Sequence, residues 1–306
     1  MKPTHPLVQI IRLSRPLLLA GGIGQYIFGV GMAKYTGALI NPEIFWTGLL
    51  WVIAMLLSGI YLYAYFSPYV DRRKWREPIF TDHPEVLGDG EGMLPRFSAL
   101  VAASGTLSSA GLISMQWNLA GLMQPKLVAL MLLITFVTLF YSMPPLRLSF
   151  SGIGEFSLAV FIGGLIPLMS FTLHGGMQGF LVEFSAFPLI FLLAAAILTL
   201  EIPNFSSDMK FELLSLPARI GWENAMGIHN ASIFLAFVSL AAAGFLGLSW
   251  DVCGSAMILL PLGVIQIGLM RAISQGAKPH WNLVIFNGFA VFSLMSYIMT
   301  YIYWTA

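Results

Sequence analysis

Charge is scarce in this chain. Of 306 residues, 15 are Lys or Arg and 14 are Asp or Glu, so only 9% are charged while 58% are hydrophobic. Water-soluble domains carry about 25% charged residues, and so little charge cannot cover the surface of a soluble particle of this size. The formal net charge of +1 leaves no basic face of the kind nucleic acid requires, which excludes that partner class. Cysteine is almost absent too. Cys253 is the single one, which rules out an intrachain disulfide framework and a cysteine metal site. The histidines (His5, His83, His174, His229 and His280) show no metal-ligand spacing.

What is abundant is uninterrupted apolar sequence. A helix crossing the hydrocarbon core needs roughly 17–25 apolar residues. Charge-free windows run at about Leu17–Ala33, Ile44–Phe66, Ser98–Leu119, Leu127–Tyr141, Phe156–Leu173, Ala186–Leu200, Ile228–Leu248, Val252–Met270 and Leu283–Tyr303. This pattern predicts an all-α, polytopic membrane bundle of about nine transmembrane helices, a single transmembrane domain over 1–306. The first window reads as a retained helix and not a signal peptide, because its apolar stretch is long and lacks a clean small-residue cleavage site. Gln25, Asn118 and Asn287 fall in or near spans, where interhelical hydrogen bonds satisfy an amide.

The basic residues set an orientation. With nine spans and a cytoplasmic N-terminus, Lys34 and Lys126 fall outside and the other 13 of the 15 basic residues fall inside. Cytoplasmic loops carry the Lys and Arg excess, so the C-terminus is expected outside, in a prokaryotic inner or plasma membrane. Nine of the acidic residues (Asp71, Glu77, Asp82, Glu85, Asp89, Glu91, Asp208, Glu212 and Glu223) fall in two cytoplasmic loops, within the stretches about 67–97 and 201–227.

Those two stretches hold the candidate chemistry. Positions 63, 67 and 71 at the end of the second span share one helical face, and so do Asn204 and Asp208 at the end of the sixth. Arg72, Arg73, Lys74, Arg76 and Lys210 stand close by. Oxygen side chains on two helix ends beside basic residues suit a magnesium-diphosphate, since Mg²⁺ takes one or two carboxylates plus the substrate's phosphates. Charged clusters beyond helix ends are also common topology determinants and lipid-headgroup contacts, and that reading stays open on composition alone.

Three segments carry a resemblance to a known family. Ile202-Pro-Asn-Phe-Ser-Ser-Asp208, running on to Ser215-Leu-Pro-Ala-Arg-Ile-Gly221, resembles the second aspartate motif and the trailing "TLPVRLG" stretch of the UbiA superfamily of membrane prenyltransferases. Tyr141-Ser-Met-Pro-Pro-Leu-Arg-Leu148 with Gly152-Ile-Gly-Glu155 is similar to the "YSxPPLRL…GxGE" stretch of members that prenylate dihydroxynaphthoate in menaquinone synthesis. Arg15-Pro16 resembles the family's N-terminal "RP". The departures are equally visible. Against the first motif, Asn-Asp-x-x-Asp-x-x-x-Asp, this chain has Tyr63-Ala64-x-x-Ser67-x-x-x-Asp71, keeping only the last aspartate. In the second motif Asn204 replaces the first aspartate and Asp208 is kept, with Glu212 and Leu213 replacing Gly and Lys.

The resemblance implies Mg²⁺ held by Asp71, Asn204 and Asp208, with Asp71 and Asp208 catalytic. It implies that Arg72, Arg76, Tyr141, Arg147 and Lys210 bind substrate. The activity implied is transfer of an isoprenoid chain from a prenyl diphosphate to an aromatic or quinone-precursor acceptor, inside a cavity open to the cytoplasm and among membrane lipids. A second reading is a catalytically degenerate protein of the same fold that binds or presents a prenyl lipid or quinone. A secondary transporter fits less well, because such proteins keep ionisable groups near the bilayer midplane and these spans are almost free of them.

Overall fold

The chain's computed structural model describes residues 13–66, 95–176, 180–210 and 214–306. Every apolar window falls on a helix, and no strand occurs among the described residues. The first four helices are α1 (Pro16–Tyr35), α2 (Pro42–Phe66), α3 (Arg96–Leu119) and α4 (Pro125–Phe140). Next come α5 (Gly154–Leu173), α6 (Ala186–Glu201), α7 (Phe205–Lys210) and α8 (Leu216–Ile220). The chain finishes with α9 (Trp222–Phe245), α10 (Trp250–Met257), α11 (Leu260–Ser274) and α12 (Trp281–Thr305). Seven helical stretches are long and apolar enough to cross a membrane, and α10 with α11 makes an eighth crossing bent by 41°. Helix α4 has 16 residues, about 24 Å at 1.5 Å each, a little short of the roughly 30 Å hydrocarbon core. The protein is an integral, multi-pass membrane protein.

The eighth window was expected to be one continuous helix and is not. Pro261 stands in the first turn of α11 and lacks the N–H that would continue the ladder from α10, so the axis bends there. The second departure lies after α6. The 201–227 stretch, expected as a cytoplasmic loop, is mostly helical: a 3₁₀ turn (Ile202–Asn204), then α7, α8 and the start of α9.

Small residues and polar rungs hold the helices together, as expected where lipid removes the hydrophobic drive between them. Helix α3 lays Ala99, Ala103 and Ala110 against α2. Its rungs are Trp51 Nε1 to Ser114 Oγ (3.0 Å), Trp117 Nε1 to Thr47 Oγ1 (3.1 Å) and Ser58 with Thr106 (2.7 Å). Gly29 of α1 lies against the Pro167 backbone and Ser170 of α5, where any Cβ would overlap them. Gly163, in the π turn Phe161–Leu165 of α5, lets the Ile190 backbone of α6 approach closely. The amides expected to be paired between helices are: Gln25 donates to Ser296 Oγ (2.9 Å), and Asn287 donates to Gln266 Oε1 (2.8 Å). The latter bond belongs to a buried set with His229 and the Val284 carbonyl that ties α9, α11 and α12 together. Asn118 is exposed.

Candidate functional site

Polar side chains converge where α1 begins, α5 begins and α6 ends. Glu155 is the second residue of α5, where its negative charge faces unpaired N–H groups. It is 8% exposed; its Oε1 accepts from the Leu216 N–H at 2.8 Å, and its Oε2 is buried with no partner. Glu201 closes α6, and Asp208 follows on α7 at 4% exposure. Glu155, Asp208 and Arg15 all stand within electrostatic range of Glu201.

Asp208 is held in place by its surroundings. Ser215 Oγ donates to Asp208 Oδ2 at 2.6 Å, and Ser215 is also the N-cap of α8, accepting from the Ala218 N–H at 3.4 Å. The next residue, Leu216, is the one whose N–H reaches Glu155. Arg219 Nη1 donates to the Ser151 carbonyl at 2.5 Å, and its side chain crosses Gly152, where positive φ (76°) leaves no Cβ in the way. The two stretches that carry the resemblance, 141–155 and 215–221, are therefore one docked unit in space.

An aromatic wall faces these carboxylates. Tyr63 stacks on Phe150 (5.8 Å between centroids, 11° between planes) and lies 6.1 Å from Tyr141. The Arg15 guanidinium sits 4.8 Å over the Tyr63 ring, a cation–π contact that fixes the arginine at the rim. Arg15 has a left-handed backbone (φ 47°) and caps α1 by accepting from the Leu18 and Leu19 amides. Such a conformation costs a non-glycine residue about 1–3 kcal/mol and persists only where its surroundings enforce it.

Of the residues expected from sequence, Asp208 and Tyr141 lie in this cluster. Asn204 turns back on its own helix, its Nδ2 donating to the Leu200 carbonyl at 3.0 Å. Arg147 is exposed on its turn, also with positive φ (44°). Lys210 ends α7. Asp71, Arg72 and Arg76 lie outside the described residues. Sequence reasoning gave no role to Glu155 or Glu201. Glu155 had been noted within its motif, and Glu201 is readable as the residue seven before Asp208.

Three carboxylates offer hard oxygens, and Glu155 Oε2 is an orphaned acceptor of the sort a cation satisfies. Among the described residues no three His, Cys, Asp or Glu side chains already surround one point. Mg²⁺ commonly uses one or two carboxylates and takes waters or phosphate oxygens for the rest, so Asp208 or Glu155 suits it only with a substrate's phosphates completing the shell.

The architecture is that of an intramembrane helical bundle with its polar site at one end, and solved structures share it over nearly the whole chain. A UbiA homologue from Archaeoglobus fulgidus bound to DMAPP and Mg²⁺ superposes with a TM-score of 0.70 at 16% identity, covering 97% of this chain and 99% of that one. Its complex with GPP and Mg²⁺ gives 0.68 at 16%, covering 97% and 100%. A digeranylgeranylglyceryl phosphate synthase gives 0.63 at 14%, covering 98% of each chain. The chain has the UbiA fold. No protein-family model and no curated protein matches its sequence.

Proposed function

We propose that this protein is a UbiA-type intramembrane prenyltransferase that moves an isoprenoid chain from a prenyl diphosphate to an aromatic or quinone-precursor acceptor. The observation that carries this reading is the convergence of Glu155, Glu201 and Asp208 with Arg15 and the Tyr63–Tyr141 wall at one end of a UbiA fold. In solved relatives of this fold the ligands are prenyl diphosphates with Mg²⁺. Bound Mg²⁺ would neutralise diphosphate charge as the allylic C–O bond breaks. Arg15 takes up further phosphate charge, being a fixed guanidinium suited to phosphate oxygens. Tyr141 offers its ring to the cationic carbon, with Tyr63 packed beside it between Phe150 and Arg15, and this half-buried wall limits the water that could quench the cation. The acceptor's ring carbon then forms the new C–C bond and loses its proton to a nearby carboxylate or to the released pyrophosphate. Similarity of the 141–155 stretch to dihydroxynaphthoate-prenylating members supports a naphthoate-like acceptor and a place in menaquinone-type synthesis.

One observation favours a second reading, a protein that binds or presents a prenyl lipid without turnover. Tyr63, Ala64 and Ser67 stand where the family has first-motif side-chain ligands. The test is prenyl transfer from geranyl diphosphate to a dihydroxynaphthoate-like acceptor by the purified protein with Mg²⁺, alongside Asp208→Asn. Turnover in the wild type, falling by at least about a hundredfold in Asp208→Asn, is expected from loss of a charge that acts in the transition state. Equal activity in both removes Asp208 from the site. Binding of geranyl diphosphate without turnover in either protein selects the second reading.

A further inference from the structure

We propose that Arg219 is a positioning residue for the aromatic wall: by clasping the 148–153 turn it sets Phe150, and through Phe150 the Tyr63 ring against which Tyr141 and Arg15 pack. What the wall does rests on the transferase reading; the clasp is a separate claim about this chain.

The turn has little to hold it by itself. It is a single 3₁₀ turn, Leu148–Phe150, set between two residues with left-handed backbone, Arg147 (φ 44°) and Gly152 (φ 76°). A 3₁₀ turn has poor hydrogen-bond geometry, and a left-handed arginine persists only where its surroundings enforce it. The entry to the turn is tied, since the Ser149 N–H donates to the Tyr141 carbonyl at 2.7 Å. The exit is tied by Arg219, from 68 positions further along the chain. Its Nη1 donates to the Ser151 carbonyl at 2.5 Å. Its stem lies across Gly152, where an added Cβ would stand 2.7 Å from Arg219 Cδ. A guanidinium is a rigid fork, so one bond to a carbonyl together with packing of the stem fixes its direction.

The clasp reaches the wall through the neighbouring residue. Phe150 immediately precedes the clasped carbonyl, and its ring stacks on Tyr63 with 11° between planes. Tyr141 lies 6.1 Å from the same Tyr63 ring and the Arg15 guanidinium 4.8 Å from it. A turn that shifts therefore tilts the ring that both of them lean on. The other end of α8 is held as firmly, by Ser215 on Asp208 and the Leu216 N–H on Glu155. One five-residue helix thus sets the wall relative to the carboxylates. Arg219 does this from an exposed position on α8, acting through Phe150.

The experiment combines hydrogen exchange with a double-mutant cycle on the purified full-length protein. In Arg219→Ala the Phe150 and Ser151 amides should exchange at least about tenfold faster while exchange along α3 stays unchanged, as local opening requires. Prenyl transfer from geranyl diphosphate to a dihydroxynaphthoate-like acceptor should lose about tenfold in kcat/KM in Arg219→Ala and in Phe150→Leu. The double variant should fall no more than about twofold below the worse single one, because both changes break the same link. Arg219→Lys keeps a donor without the planar fork and should lie between Arg219→Ala and wild type. Losses that multiply in the double variant overturn the proposal, since they give Arg219 an effect independent of Phe150. So does wild-type exchange at Phe150 and Ser151 in Arg219→Ala, or faster exchange along α3 as well, the mark of a merely structural residue. Faster exchange confined to the turn, in a protein that transfers nothing, supports the clasp and sinks the transferase reading.

Discussion

Replacing Ser215 with Ala probes how Asp208 is held. The hydroxyl makes two bonds, one to Asp208 Oδ2 at 2.6 Å and one from the Ala218 N–H at 3.4 Å. The second is long for a hydrogen bond, and the net loss of an N-cap at a surface helix is about 1 kcal/mol. The first is short and involves a charged acceptor, worth about 1.5–3 kcal/mol net. The Asp208 bond therefore dominates. If Asp208 must keep its orientation to act, that energy appears as a fall in kcat/KM of roughly tenfold to a hundredfold, at 1.36 kcal/mol per factor of ten. Ser215→Thr retains the hydroxyl and should recover most of the loss. The assay is steady-state prenyl transfer, paired with hydrogen exchange at the Leu216 amide, whose bond to Glu155 should loosen when its neighbour no longer anchors Asp208. Activity within twofold of wild type in Ser215→Ala, or a Thr variant as poor as Ala, would refute a positioning role for this hydroxyl.

The remaining predictions are more direct. Reporter fusions at Ala306 and in the loop around Asp89 should report opposite sides of the membrane, with Asp89 cytoplasmic; the same side for both would break the orientation drawn from the basic residues. Gly29→Ala should lower the thermal midpoint in detergent by the several degrees that a destabilisation of about 1–3 kcal/mol brings, because its Cβ meets the Pro167 backbone, which cannot swing aside. An unchanged midpoint would show that α1 and α5 have room to separate there.

The membrane architecture was legible because its signal is local. Twenty apolar residues without charge need no knowledge of their neighbours, and Leu17–Ala33 became Pro16–Tyr35 with an error of only two residues at one end. The break between α10 and α11 was legible in principle from Pro261, but the apolar count ran straight through it. The site was legible only in part. Asp208 stood out by its motif, whereas Glu155 and Glu201 become important through tertiary placement, since Glu155 meets Leu216 across 61 positions of chain. Asn204 misled for a different reason. Helical spacing put it on the Asp208 face, but spacing says nothing about an amide that prefers the carbonyl one turn behind it. The 201–227 stretch looked solvated because it is polar, yet its Asp208 is buried, with its carboxylate held by Ser215.

Helix α1 is clasped by helix α12. Gln25 bonds Ser296, Lys34 reaches the Trp304 carbonyl, and the Trp304 indole donates to the Ile27 carbonyl, across 271, 270 and 277 positions respectively. Helix α1 thus depends on a helix synthesised long after it. Until α12 arrives, Gln25 carries an amide whose native acceptor has not yet been synthesised, in a solvent that offers no water to replace it. Ribosomes stalled before residue 281 would release a bundle with an open seam along α1, holding a polar group that cellular quality control can recognise. Arrival of α12 closes that seam along α1.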